Sequence, residues 1–192
     1  ARVSELFLES SDATKFHTFY FSSPGAKKVV LYLHGNAGNA YHRLDDANAV
    51  FQMGCNVLLI DYRGYGKSEG SPSEKGIYRD ALAAYNFLKE KKGFTDQDIF
   101  VFGRSIGTTA AIEISQKKDI AGLILVSPLS TGKDMARQMA PGFLAWLVGS
   151  SFDNVGKAKN IDCPVLIIHG EKDKVIPISQ GRQVFEALSS SK

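Results

Sequence analysis

The stretch that decides the fold is Ile99-Phe100-Val101-Phe102-Gly103-Arg104-Ser105-Ile106-Gly107-Thr108-Thr109-Ala110-Ala111. Four apolar residues lead into a Gly-x-Ser-x-Gly pattern, and a helix-forming series follows. This order is typical of a sharp turn that lifts a serine from the end of a buried strand to the start of a helix. The serine of such a turn has a strained backbone, and a Cβ atom at either glycine would crowd the neighbouring strand or helix. We therefore predict that Ser105 is a nucleophile; the alternative is a plain strand-to-helix turn capped by serine.

Strand and helix patterns alternate on both sides of this turn. Further buried strands are predicted from apolar runs at residues 29–33, 57–61, 123–126 and 165–168. Helices are predicted at residues 40–53, 73–92, 108–117 and 179–188. Residues 4–10 alternate polar and apolar side chains, which predicts a strand, and residues 16–21 are predicted to be its antiparallel partner across a turn at residues 10–13. The pattern indicates one α/β domain over residues 1–192, whose mostly parallel, doubly wound sheet has helices on both faces.

The composition excludes several classes of protein. The chain has 192 residues, of which 44% are hydrophobic and 22% charged, as in ordinary soluble domains. The net charge of +3 comes from scattered basic residues, so we expect no nucleic-acid partner. Cys55 and Cys163 each begin an apolar run and are predicted to be buried thiols, and neither a metal site nor a cofactor is expected.

No run is long enough to cross a bilayer, which needs about 20 apolar residues. The chain starts at Ala1 without an initiating Met, so an upstream targeting or anchoring segment could have been removed. We expect a cytoplasmic protein, with membrane association only through a segment outside this chain.

The residues that could assist a serine nucleophile follow the predicted strands, and the carboxyl ends of parallel strands meet at one edge of the sheet. The oxyanion that forms on attack needs hydrogen-bond donors. We expect these to be the backbone N–H groups of Ile106 and of Asn36, with Ala37 as the second choice. Asp173 is the candidate acid, because hydrolases whose serine lies in a Gly-x-Ser-x-Gly turn have their acid later in the chain than the serine. The alternative is that Asp173 is a solvated loop carboxylate. Asp61 precedes the serine and is interpreted as structural, holding its loop through backbone N–H groups or Arg63.

The general base is the missing element. The order of such triads requires a histidine after Asp173, yet all four histidines precede it: His17, His34, His42 and His169. His34 and His169 each end a strand just before a glycine, which favours a packing role. The sequence therefore predicts a nucleophile, an oxyanion loop and an acid without a base.

Candidate substrate contacts lie around the same edge, at His34, Arg104, Leu129 and Trp146. Arg104 could steer an anionic group, or it could be a neighbour engaged in a salt bridge. Apolar side chains concentrate in an irregular stretch that predicts a small helical cap, inserted at about residues 129–160. Such a lid suits acyl chains or hydrophobic esters, and plain core packing is the alternative.

The motifs together resemble the α/β-hydrolase superfamily of serine hydrolases, and more narrowly its compact branch that includes protein depalmitoylases. The matching segments are residues 34–39, 61–66, 72–74, 103–108, 127–129 and 168–173. The resemblance implies Ser105 as nucleophile and Asp173 as acid, acting on a small acyl ester or thioester, a lipid-like substrate or an acylated protein. In that family a further strand, a Gly-His turn and a final helix follow. They are absent here, so we expect a shortened form with low or no activity. The alternatives are a non-catalytic binding or scaffold domain, and a partner chain that supplies the missing strand and histidine.

Overall fold

The sheet has the predicted α/β architecture. Residues 2–138 and 151–189 are described by the computed structural model, and within them seven strands form one sheet. The strands are β1 (Arg2–Glu9), β2 (Lys15–Ser22), β3 (Val29–Leu33), β4 (Asn56–Ile60), β5 (Ile99–Arg104), β6 (Gly122–Val126) and β7 (Val165–Ile168). They lie in the order β1-β2-β4-β3-β5-β6-β7. The pairs β1/β2 and β2/β4 are antiparallel, and all other neighbours are parallel. This confirms a mostly parallel sheet with an antiparallel N-terminal hairpin.

The helices cover both faces of this sheet. They are α1 (Leu44–Phe51), α2 (Glu74–Glu90), α3 (Gly107–Ser115), α4 (Gly132–Gln138), α5 (Asn154–Ala158) and α6 (Ile178–Ala187). The single helix predicted over residues 40–53 is divided in two. A 3-10 turn at Ala40–Arg43 precedes α1, because Arg43 leaves the helical conformation with φ −114° and ψ 8°. Ser73 caps α2, as expected from the sequence, and its hydroxyl oxygen accepts the N–H of Gly76 at 3.1 Å.

Two apolar clusters, one on each face, hold the sheet between the helices. All five residues of β3 and all five of β4 are buried, as predicted for strands covered on both sides. Alternate residues of β3 enter different clusters, with Leu31 in the larger one beside α2 and α3 and Tyr32 in the smaller one beside α1. The carboxyl ends of β3, β5, β6 and β7 are thereby fixed at one edge.

Strand β7 departs from the predicted burial. Leu166 and Ile168 are 54% and 51% exposed, whereas Val165 of the same strand is 7% exposed. The cap prediction falls partly outside the described residues, since α4 and α5 flank residues 139–150. Over the ranges 2–138 and 151–189, no helix is both long and apolar enough to cross a bilayer.

Candidate active site

Ser105 occupies the turn between β5 and α3 with a left-handed backbone, at φ +53°. A non-glycine residue in this conformation stores about 1–3 kcal/mol of strain, which the surrounding structure must hold. The two flanking glycines allow it. A Cβ atom built on Gly103 would lie 2.8 Å from Ala111 Cβ, and one on Gly107 would lie 2.1 Å from the carbonyl oxygen of Leu33. Strand and helix therefore approach each other at a distance that no side chain permits.

A cleft of about 310 Å³ opens above this turn. It contains both predicted catalytic side chains, Ser105 and Asp173, which are 68 residues apart in sequence numbering (173 − 105) and follow different strands. Asn36 and Ala37 contribute one wall, and Met135 of α4 contributes an apolar part of another. The arrangement follows the rule that parallel sheets bind ligands beyond the carboxyl ends of their strands.

The loop after β3 faces the serine hydroxyl. A Cβ atom on Gly35 would lie 3.2 Å from Ser105 Cβ and 3.9 Å from its Oγ, so the loop backbone passes directly beside the nucleophile. Among the described residues, no acceptor is bonded to the N–H groups of Asn36, Ala37 or Ile106. The Ile106 N–H also stands at the start of α3, where the helix dipole favours a negative charge. These donors are free to meet an oxyanion.

Asp173 is held as an ionised carboxylate. Its Oδ1 accepts the N–H groups of Val175 and Ile176 at 2.9 and 3.0 Å, and its Oδ2 accepts the hydroxyl of Ser127 at 2.8 Å. Burial raises the pKa of Asp173, but these hydrogen bonds and the nearby His169 outweigh it and hold the pKa below its usual value.

Ser127 and Arg43 are cleft residues that sequence reasoning missed. Ser127 follows β6 with φ +48°, and it lies in the family motif at residues 127–129, which by itself assigns no role to the serine. Arg43 reaches the cleft from the 3-10 turn, and its Nη2 donates to the carbonyl oxygen of Ala37 at 2.8 Å. No signal in the sequence marks it, because it occupies an ordinary helical position.

None of the four histidines, all of which lie among the described residues, lines the cleft. His169 is nearest to the acid, at 3.9 Å from Nε2 to Asp173 Oδ2, but its Nε2–H donates to the carbonyl oxygen of Ile176 at 2.7 Å. Its side chain is only 4% exposed. His34 is completely buried, and His42 bonds Asn39 at the surface. The cleft thus presents a nucleophile, an acid and oxyanion donors without an imidazole.

The predicted substrate contacts divide into three groups. Arg104 lines the cleft, half exposed, with Nη1 3.8 Å from Asp46 Oδ2. His34 and Leu129 do not line it, and both are 0% exposed. Both ring nitrogens of His34 contact oxygens inside the protein. Leu129 packs in the larger apolar cluster. Trp146 lies outside the described residues.

Comparison with known proteins shows which family the chain belongs to. Residues 24–156 match the hydrolase family described as "Serine aminopeptidase, S33". The chain is 36% identical over 169 residues to the α/β hydrolase domain-containing protein aho-3 of Caenorhabditis elegans, with 88% of this chain and 50% of that protein covered. It is 35% identical over 173 residues to the human α/β hydrolase domain-containing protein 17B, with 88% and 58% covered. The chain spans about half the length of the curated relatives it matches.

Solved structures show the same fold at low sequence identity. The esterase Pf2001 of Pyrococcus furiosus superposes with a TM-score of 0.82 at 20% identity, with 100% of this chain and 81% of that chain covered. The acetyl xylan esterase of Paenibacillus sp. R4 gives 0.80 at 19% identity, with 99% and 75% covered. Its sequence family, its relatives and its sheet topology together make this chain a member of the α/β-hydrolase superfamily.

Proposed function

We propose that the chain carries the nucleophile, acid and oxyanion hole of a serine hydrolase that cleaves carboxylic esters or thioesters through an acyl-Ser105 intermediate. The observation that carries the proposal is the placement of Ser105 in a strained turn, beside the Gly35 backbone and in one cleft with Asp173. Strain of this kind is retained where a side chain must be presented in a fixed direction.

In the proposed reaction, Ser105 Oγ attacks the substrate carbonyl carbon while a base takes the hydroxyl proton. The negative charge that develops on the carbonyl oxygen is met by the N–H groups of Ile106 and Asn36, with Ala37 as a second candidate beside Asn36. The base then gives its proton to the departing alkoxide or thiolate, leaving the acyl group on Ser105. Water, deprotonated by the same base, attacks the acyl carbon and releases the acid and the free serine.

The positions of the histidines favour a second candidate, a non-catalytic binding domain. Asp173 has the carboxylate that would orient an imidazole, but none of the four histidines of the described ranges stands between it and Ser105. A hydrolase of this kind loses several orders of magnitude in rate without its base, although the oxyanion hole alone retains part of the catalysis. The decisive question is whether Ser105 becomes reactive when an imidazole is supplied.

The test is chemical rescue with the chain as it stands. The protein is treated with a fluorophosphonate probe, with and without free imidazole, and the modified residue is located by mass spectrometry. We expect imidazole in the cleft to accelerate labelling of Ser105 by at least about tenfold, because a positioned base contributes about 10²–10⁴-fold. Ser105→Ala must abolish the signal.

Ser127→Ala is the matched control, since Ser127 is a second cleft serine in a left-handed conformation that follows a parallel strand. It should leave the modified site unchanged, because the backbone of the oxyanion loop passes beside Ser105 at Gly35. Labelling of other serines at equal rates, or no effect of imidazole on Ser105, would favour the binding domain over the hydrolase.

A further inference from the structure

The inference concerns a chain of ionisable side chains that runs from the surface to the back of the oxyanion loop, which we call the relay: Glu5, His17, Asp61 and His34. It lies outside the cleft and takes no direct part in the reaction proposed above. The side chains of Asp61 and His34 are 2% and 0% exposed. The His17 side chain is 3% exposed, whereas Glu5, at the outer end, is 43% exposed. Three buried ionisable groups require a reason, because burial of charge is unfavourable unless each group is paired.

Both ring nitrogens of His34 face oxygens that can only accept. Its Nδ1 lies 2.6 Å from the carbonyl oxygen of Gly35, and its Nε2 lies 3.0 Å from Asp61 Oδ1. Burial raises the pKa of Asp61, but the hydrogen bonds from His34, Ala40 and His17 outweigh it and hold the pKa below its usual value. An ionised carboxylate and a carbonyl have no proton to offer, so each of these contacts is a hydrogen bond only when the ring nitrogen carries the hydrogen.

Both ring nitrogens of His17 also face oxygens, and this ring lies nearer to the surface than His34 in the relay. Its Nδ1 lies 3.3 Å from Asp61 Oδ2 and its Nε2 lies 2.7 Å from Glu5 Oε1. A hydrogen bond from Lys67 lowers the pKa of Glu5 against the opposing effect of desolvation, so this carboxylate also only accepts. Carboxylates and imidazole rings thus alternate from the surface inward, and each ring nitrogen of the two histidines faces an oxygen that accepts.

The Gly35 carbonyl belongs to the same peptide group as the Asn36 N–H. In a trans peptide the C=O and N–H bonds point in opposite directions, and the structure shows no cis bond among its described residues. The carbonyl points at the buried His34 ring, so the N–H of Asn36 points away from it, on the side where Asn36 and Ser105 line the cleft. A cationic ring on the carbonyl oxygen also polarises the peptide and strengthens the opposite N–H as a donor.

Asp61 holds the other end of the same loop. Its Oδ1 also accepts the backbone N–H of Ala40 at 2.6 Å, so one carboxylate oxygen binds the residue before Gly35 and the residue after Asn39. We propose that Asp61 keeps the buried His34 ring doubly protonated, and that this ring sets the orientation of the Asn36 N–H as an oxyanion donor. His34 and Asp61 are then positioning residues; this deepens the proposed function, on which their catalytic meaning rests.

The first test measures the ring itself and needs no activity. The protein is labelled with ¹⁵N-histidine, and the ring nitrogens are observed by NMR at pH 7, with His34→Gln used to assign the signals. We expect both nitrogens of His34 to carry protons in the unmodified chain, and Asp61→Asn to remove the proton from Nε2. A neutral His34 ring with a single tautomer in the unmodified chain would overturn the proposal.

The second test measures the consequence for Ser105. With imidazole present, we expect Asp61→Asn to slow the maximal rate of fluorophosphonate labelling about 10–100-fold with little change in probe affinity, because loss of one oxyanion donor costs about 10²–10³ and a misdirected donor somewhat less. Asp80→Asn is the matched control. Asp80 is also 0% exposed and binds the N–H and guanidinium of Arg63, but neither residue lines the cleft.

Asp80→Asn should lower the melting temperature yet keep the labelling rate within about twofold. An equal slowing in both variants would assign Asp61 a purely structural role and refute the proposal, as would an unchanged rate in Asp61→Asn. If Ser105 of the unmodified chain is not labelled even with imidazole, the proposed function fails. The NMR measurement then decides alone between a doubly protonated His34, as proposed, and a neutral one.

Discussion

Replacement of Gly107 by alanine tests how closely α3 must approach β3. The new Cβ atom would lie 2.1 Å from the carbonyl oxygen of Leu33 and 2.7 Å from that of His34. Both are backbone atoms and cannot rotate away. The helix must move by at least about 0.9 Å to reach the 3.0 Å that real Cβ contacts require.

Overpacking costs about 1–3 kcal/mol, and a clash with backbone on both sides places Gly107→Ala at about 3 kcal/mol. For a chain of this size that corresponds to a fall of roughly 6–12 °C in melting temperature, at about 2–4 °C per kcal/mol. The assay is urea and thermal unfolding followed by circular dichroism. Labelling of Ser105 in the presence of imidazole should fall as well, because Leu33 and His34 lead directly into the oxyanion loop.

Gly170→Ala is the control, since no atom lies within 4 Å of the position that its new Cβ would take, and the φ of Gly170 is not positive. Its free energy of unfolding should change by less than about 0.5 kcal/mol. A loss below about 1 kcal/mol in Gly107→Ala, or equal losses in the two variants, would refute the close-approach argument for the turn.

Three further changes have defined outcomes. Ser73→Ala removes the cap of α2 and should cost about 1 kcal/mol in urea unfolding, whereas the exposed Ser71→Ala should cost almost nothing. The Thr95 hydroxyl, with Lys28, lowers the pKa of Asp98 to about 2. The stability that ionised Asp98 contributes is therefore present above about pH 4 and is lost as the pH falls from about 4 to 2. Asp98→Asn should flatten the dependence of the free energy of unfolding on pH in that range. Arg104→Gln should reduce the preference of Ser105 for anionic over neutral fluorophosphonates about 1.5- to 5-fold, the range expected for one exposed charge, and an unchanged ratio would remove Arg104 from substrate recognition.

The sequence is most informative where backbone sterics dictate the residue. Gly103 and Gly107 are predicted to permit a close approach of strand and helix, and the distances around both show why no side chain fits. The apolar runs of β3 and β4 indicate strands covered on both faces, and both are wholly buried. These features depend on neighbouring residues, or on apolar residues that recur every two or 3.6 positions, so the sequence alone predicts them.

What the sequence could not show depends on residues far apart in the chain. Asp61 is expected from the sequence to hold its loop through backbone N–H groups or Arg63. The structure gives it the Ala40 N–H, whereas Arg63 pairs with Asp80 and Asp12. Arg63 pairs with Asp80 instead of the nearby Asp61 because of the way β4 packs against α2. No local pattern in the sequence predicts this choice.

The sequence also does not predict which side chains near the cleft are buried. Leu129 follows a strand at the edge that carries the cleft, so position alone predicts a substrate contact. Its side chain turns into the larger apolar cluster and is 0% exposed. Ser127, two residues earlier, reaches Asp173 instead, because its left-handed backbone directs the hydroxyl to the other side.

The outermost strand of the sheet has a consequence for engineering. Glu5 belongs to β1, and its carboxylate contacts the buried His17 from a strand that has one neighbour, β2, among the described strands. A fusion tag or trimmed terminus that frays β1 would remove the Glu5 carboxylate from Nε2 of the buried His17 ring, which lies on the far side of Asp61 from His34. Expression designs should therefore preserve β1, even though none of its described residues lines the cleft.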